Sequence, residues 1–241
     1  MLFIISEVLV AFSEWTKFLY KILRKRMDIL EKELGIPGRN SVGVNRLAWQ
    51  TYNWHKKGEE WTFSQEWKQS LIQNVLRKYV KQNSIILEVG PGAGRWSEYL
   101  QKMSKELILV DLSSACIELC QQRFRNEKNI SYFVNEGSNL DFISNDRIEF
   151  IWSFDVFVHI RPADIQEYMA EFHRVLVKGG VGIIHHAKEG GIAGGWRSEM
   201  TAKIFEDLCD KQGLKLIDQF DSWGHNNEYE VPKGVVSVFQ K

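Results

Sequence analysis

Three glycines, Gly90, Gly92 and Gly94, set in the run Glu88-Val89-Gly90-Pro91-Gly92-Ala93-Gly94, constrain this chain more than any other segment. They follow Ile85 to Val89, an apolar run that reads as a buried strand, and precede Arg95 to Met103, which reads as a helix. A glycine turn at such a junction lets backbone come close to a ligand, because no Cβ intervenes and amide N–H groups point outward at the helix start. Strand, tight turn and helix in that order open an α/β sheet.

The rest of the chain repeats that unit. Leu107 to Asp111 reads as a second strand, Ser113 caps a helix to about Arg125, Ile130 to Val134 is a third strand, and Ile148 to Ser153 a fourth. Pro162 starts a helix whose apolar face is Ile165, Tyr168, Met169, Phe172, Val175 and Leu176, and Gly179-Gly180 ends it before a strand from Val181 to His185. Ser198 can cap a further helix through Leu208 to Gly213, and Leu214 to Phe220 and Val235 to Phe239 close the chain as two strands joined by a polar loop. The alternation predicts an α/β fold, a Rossmann-like doubly wound seven-stranded sheet with right-handed crossovers and an antiparallel last strand.

The texture changes near residue 80, which divides the chain into residues 1–80, a helical extension with an aromatic-rich cap, and residues 81–241, the α/β domain. Ser64 caps a helix in which Trp67, Leu71, Val75, Leu76 and Tyr79 recur at helical spacing to about Lys81. An amphipathic helix is expected from about residue 6 to Leu34, stopped by Gly35-Ile36-Pro37-Gly38, and suited to self-association or to lying peripherally on a membrane. Its apolar start, broken by Glu7 and Glu14, is too short for a ~20-residue span, and its basic residues follow the apolar run, so neither a membrane span nor a signal peptide is expected.

Charge narrows the ligands. Lys plus Arg and Asp plus Glu number 31 each, so no overall field favours nucleic acid, and a small or neutral substrate is expected. Cys116, Cys120 and Cys209 lack metal-type spacing and fit buried reduced thiols in a cytoplasmic protein. No histidine pair with a nearby carboxylate stands at ligand spacing, so no metal is expected. A dinucleotide turn wants a third glycine where Arg95 stands, and a carboxylate at Glu88 would oppose a pyrophosphate while suiting a sulfonium and an ammonium group. Asp111, about twenty residues past the turn, can accept hydrogen bonds from the two hydroxyls of an unphosphorylated ribose.

These residues resemble the class I S-adenosylmethionine-dependent methyltransferase superfamily, in its type 11 or type 12 groups of small-molecule and glycan methyltransferases. The resemblance covers about residues 82 to 186 and matches the acidic-x-Gly-x-Gly-x-Gly turn at Glu88, Gly90, Gly92 and Gly94. It implies S-adenosyl-L-methionine as cofactor, with the turn and Arg95 at its methionine end and ribose, Asp111 on the diol and Leu112 along the adenine. It also implies an adenine contact from Glu136, Gly137 and Ser138, although Asn135 and Glu136 stand where glycine and aspartate are usual. Phe154, in Trp152-Ser153-Phe154-Asp155-Val156-Phe157-Val158-His159-Ile160, falls in the segment that runs past the reactive methyl.

Ligands of doubly wound sheets bind beyond the carboxyl ends of the strands, where His159, His185, His186 and His225 fall. A histidine can take the proton from a hydroxyl nucleophile. Alternate strand residues face opposite sides, so His186 is the expected base, with His185 packing or orienting and His159 structural or catalytic. The glycine-rich stretch 190–198 reads as a substrate lid, with Trp196 stacking on a sugar or other flat face and Arg197 clamping an anion. Trp54 belongs to a polar, tryptophan-rich stretch, 53–61, expected to cap the cofactor cleft, and His225 is a further substrate candidate. The expected activity is methyl transfer to a hydroxyl, less readily a nitrogen, of a small metabolite or saccharide. An RNA or protein methyltransferase and a non-catalytic cofactor-binding protein are the alternatives.

Overall fold

A computed structural model describes residues 40–190 and 196–241, with Trp15 and Ile22 as isolated helical positions. The helix expected from residue 6 to Leu34 and the centre of the glycine-rich lid lie outside the described residues. Helix α1 is Val42–Thr51, capped by the Ser41 hydroxyl, which accepts from the Val44 amide. Two 3₁₀ turns follow, Trp54–Lys56 and Glu59–Trp61. Helix α2, Gln65–Ser70, is capped by Ser64 as its sequence predicts, and continues through a π-helical stretch, Leu71–Leu76, to a last α turn, Arg77–Tyr79.

The alternating region begins with β1 (Ser84–Val89), α3 (Ser97–Met103), β2 (Ser104–Asp111), α4 (Ser114–Arg123) and β3 (Ile130–Val134). It continues with β4 (Ile148–Phe157), α5 (Pro162–Val175), β5 (Leu176–Ala187), α6 (Ala202–Lys211) and β6 (Lys215–Phe220). A small hairpin, β7 (Ser222–Trp223) with β8 (Tyr229–Glu230), precedes β9 (Gly234–Gln240).

The main sheet has seven strands in the order β3-β2-β1-β4-β5-β9-β6. Strands β1 to β5 pair in parallel, while β9 runs antiparallel between β5 and β6. Each face of the sheet has its own core. One packs α5 and α6 through Ile165, Met169, Phe172 and Phe205, the other α2, α3 and α4 through Trp67, Leu71, Leu100 and Ile117. The chain reverses its direction of travel across the sheet between β1 and β4, and there the carboxyl ends open a crevice.

Three sequence expectations shift. Helix α6 is capped by Thr201, whose hydroxyl accepts from the Ile204 amide, and not by Ser198, which is buried with its amide on the Val158 carbonyl. Strand β5 begins at Leu176, ahead of Gly179-Gly180, because α5 ends directly at Val175. Strand β4 runs on to Phe157 through a register shift against β5, and within that shift Asp155 adopts φ +64°. The polar loop before β9 holds the β7–β8 hairpin.

Candidate active site

The crevice is a cavity of about 410 Å³, near the small end of the ~300–1,000 Å³ typical of ligand sites. Its floor is the glycine turn. Gly90 and Gly92 hold φ of +72° and +57°, and a Cβ on Gly92 would come within 2.7 Å of the Trp54 ring, so glycine is required there both by conformation and by the ring above. Gly94 meets Phe124 and Arg123 and serves the packing of the turn.

Two carboxylates serve this floor differently. Asp111 reaches the cavity and accepts the amides of Gly92 at 3.2 Å and Ser113 at 2.9 Å, while burial raises it to about 6. Glu88 is 2% exposed, accepts the Ser97 hydroxyl at 2.6 Å and does not line the cavity, and burial raises it to about 8. This corrects the sequence reading: Glu88 fixes the turn from beneath in a largely neutral state, and presents no charge to a ligand. Of the two carboxylates only Asp111 faces the cavity, with Leu112 beside it on the wall.

The residues expected at the adenine, at the end of β3, do not line the cavity. Glu136 is exposed, Gly137 gives its carbonyl to the Tyr168 hydroxyl and the Asn135 amide, and Ser138 bonds Glu167, so none of the three lines the cavity. Tyr168 reaches the wall in their place.

The roof is aromatic. Asn45, Ala48, Trp49 and Tyr52 recur at helical spacing on the cavity face of α1, while Leu47 on its outer face is 67% exposed. Trp49 lies 5.5 Å from Trp196 in a stacked arrangement, 5.3 Å from His159 and 6.0 Å from Trp54, centroid to centroid. Trp61 closes the cluster at 6.1 Å. The side-chain amides of Asn40 and Asn45 both donate to the His159 carbonyl, at 3.0 and 2.9 Å, which clasps α1 to the end of β4. Gln50 accepts from Ser113 and donates to Ser114, clasping its other end to α4.

Of the expected histidines, the cavity keeps one. His159 lines it, and its Nδ1 sits 2.8 Å from the Trp196 carbonyl, which requires the proton on Nδ1 and leaves the lone pair on Nε2. Burial depresses this imidazole to about 4, so it is neutral near pH 7. His186 is fully buried outside the cavity, with Nε2 2.8 Å from the Ser237 hydroxyl and its ring stacked on Phe205 at 4.1 Å. It has no route to a substrate, and its expected role as base is corrected to packing. His185 faces the other side of β5, its Nδ1 2.9 Å from Asp155, so it orients that carboxylate from behind. His225 is exposed on a 3₁₀ turn away from the cavity.

Asp155 went unnoticed in the sequence, where no motif marks it. It lines the cavity beside Phe154, 25% exposed, and is held by Arg95 at 2.5 Å and by His185. Burial opposes its ionisation, but the Arg95 guanidinium and the hydrogen bond with His185 hold it far below the usual carboxylate range. Arg95 is itself on the wall, with Nη1 buried and unpartnered among the described residues. Trp54, Trp196 and Arg197, expected near the substrate, all line the cavity. Asn45, Trp49, Tyr52 and Trp61 join them; the density of tryptophans between residues 45 and 67 was their signal.

S-adenosylmethionine fits this arrangement on two observations: a glycine turn that lines the cavity, and a carboxylate at the end of the second strand able to take a ribose diol. Bound there, that group supplies an electrophilic methyl. The chain's own residues line the cavity with an aromatic roof and with the His159 imidazole.

The comparisons agree with this geometry. A family model described as a methyltransferase domain matches residues 86–180. Ribosomal RNA small subunit methyltransferase A of Coxiella burnetii is 29% identical over 75 residues, 29% of each chain. The enzyme of that name from a Hydrogenobaculum species is 36% identical over 67 residues, 27% of this chain and 25% of that one. The chain thus spans under a third of the length of these curated relatives. Among solved structures, the N-methyltransferase NodS of Bradyrhizobium japonicum, in complex with S-adenosyl-L-homocysteine, aligns with a TM-score of 0.63 at 15% identity over 84% of this chain and 98% of that one. A TehB-like S-adenosylmethionine-dependent methyltransferase of Corynebacterium glutamicum aligns at 0.56 and 22% identity over 78% and 100%. Residues 86–180 thus carry a methyltransferase domain, in the fold of S-adenosylmethionine-dependent methyltransferases.

Proposed function

We propose that the protein moves a methyl group from S-adenosylmethionine to a hydroxyl of a small acceptor, a metabolite or a single saccharide unit, with His159 as the base. The observation that carries this reading is the neutral His159 imidazole. It lines the cavity with Nε2 unprotonated, in a tautomer held by the Trp196 carbonyl. A hydroxyl nucleophile needs such a proton acceptor as its bond to the methyl forms. A roof of Trp49, Tyr52, Trp54, Trp61 and Trp196 suits a flat or ring-shaped acceptor, and a cavity of about 410 Å³ favours a small one.

RNA methylation is the second reading, because the curated relatives bear that name. Their likeness spans 75 residues or fewer, and the equal numbers of acidic and basic side chains give no field for a polyanion. The test is transfer of labelled methyl from the cofactor to pooled small hydroxyl compounds, pooled amines and total RNA. Label on the hydroxyl pool is the expected result. Label on RNA alone would replace this reading with the second, and label on amines alone would remove the role given to His159.

A further inference from the structure

Arg197 lines the cavity at the end where His159 sits, since its chain neighbour Trp196 supplies the carbonyl that binds the His159 imidazole. Among the described residues its guanidinium makes one hydrogen bond, from Nη2 to the Pro232 carbonyl at 3.3 Å, and its Nη1 is buried with no partner. Among the described residues no carboxylate lies within ion-pair distance of it. Asp155, an anion on the cavity wall whose field reaches Arg197, is already taken by Arg95 and His185. Lys57 adds a second cation to the lining with no carboxylate of its own among the described residues. A half-buried guanidinium left without a counter-charge is costly, and a ligand anion removes that cost while filling the free fork.

We propose that the acceptor is a hydroxy acid, its hydroxyl at His159 and its carboxylate, or a similar anion, on Arg197. This rests on the methyl-transfer reading of the same cavity and narrows its substrate class. One other carboxylate could reach Arg197, the one on the methionine end of the cofactor, and the two sources separate experimentally.

The quenching of tryptophan fluorescence reports binding directly, given the indoles around the cavity. S-adenosylhomocysteine and 5′-methylthioadenosine, which lacks the amino-acid end, are titrated into the wild-type protein and Arg197→Gln. The protein saturated with S-adenosylhomocysteine is then titrated with 4-hydroxybenzoate and with the neutral 4-hydroxybenzamide. The expected result is unchanged S-adenosylhomocysteine affinity in Arg197→Gln, and a preference for the acid over the amide of roughly tenfold or more in the wild type, erased in Arg197→Gln. Arg197→Lys, which keeps the charge and loses the fork, should retain part of the preference and guards against misfolding. A variant that loses S-adenosylhomocysteine but keeps methylthioadenosine assigns Arg197 to the cofactor and overturns the proposal. So does equal or absent binding of acid and amide, or a preference that survives Arg197→Gln. Failure of the wild type to bind S-adenosylhomocysteine is a different outcome, which removes the methyltransferase reading together with this one.

Discussion

Neighbouring histidines on one strand have opposite fates here, and the pleat explains why. His186 is stacked on Phe205 and bonded to Ser237, whereas His185 faces the cavity side behind Asp155. Period-two alternation says that the two differ, but not which one faces the ligand, because both faces of this sheet are covered and both read as apolar. Of these strand-end histidines it is His159 that lines the cavity, and it is the base in the proposed reaction. His159→Ala should lower kcat by about 10²–10⁴-fold with cofactor affinity retained, while His186→Ala should leave kcat within a factor of two and lower stability by roughly 2–5 kcal/mol. Steady-state kinetics with thermal melts on both variants checks this. Because burial depresses His159 to about 4, turnover should fall only as pH drops through that region. Glu88 carries a second residue-scale prediction. Its folded value, about 8, lies above its ordinary one, so the stability it contributes is complete below about 4.5 and is lost as pH rises through about 8. Glu88→Gln keeps an acceptor for Ser97 and removes that titration, so the melting temperature of the variant should exceed the wild type's at pH 9 and match it near pH 5.

At the scale of elements, the strands and the glycine turn were legible, because a buried parallel strand is a nearly unbroken apolar run and a ligand-facing turn needs backbone without Cβ. The roof was legible only as an excess of tryptophan. Which face of α1 covers the cavity is decided by tertiary hydrogen bonds, Asn40 and Asn45 to the His159 carbonyl and Gln50 to Ser113 and Ser114, whose partners lie 63 to 119 residues away. Asp155 was hidden for a related reason: its φ of +64° and its position arise from a register shift between β4 and β5 that no local pattern announces. The clasp is testable. Asn45→Ala removes a donor from the buried end of α1 and should cost about 1 kcal/mol, and it should weaken S-adenosylhomocysteine binding by loosening the roof. Calorimetric titration beside a thermal melt measures both, and a stability loss with unchanged affinity would mean that α1 does not cover the bound cofactor.

Across the whole molecule, the cavity lies where sheet and roof meet, so a ligand seated in it links the strand ends of β1, β2 and β4 to α1 and the segment carrying Trp196. The unfolded chain has no such site, and ligand binding must therefore raise the stability of the folded state by RT ln(1 + [L]/Kd), about 2.7 kcal/mol at a hundredfold excess over Kd. For a chain of 241 residues, each kcal/mol moves the melting temperature by about 2–4 °C, which gives a rise of about 5–10 °C. S-adenosylhomocysteine should produce that rise in differential scanning fluorimetry. NAD should not, because the position that would need a third glycine carries Arg95, a side chain fixed on the wall by its pairing with Asp155. A comparable shift with NAD would mean that the floor accepts a pyrophosphate despite Arg95. In Asp111→Ala the S-adenosylhomocysteine shift should shrink or vanish, since the ribose loses its carboxylate while the glycine floor remains. A full shift in that variant would place the nucleoside elsewhere in the cavity.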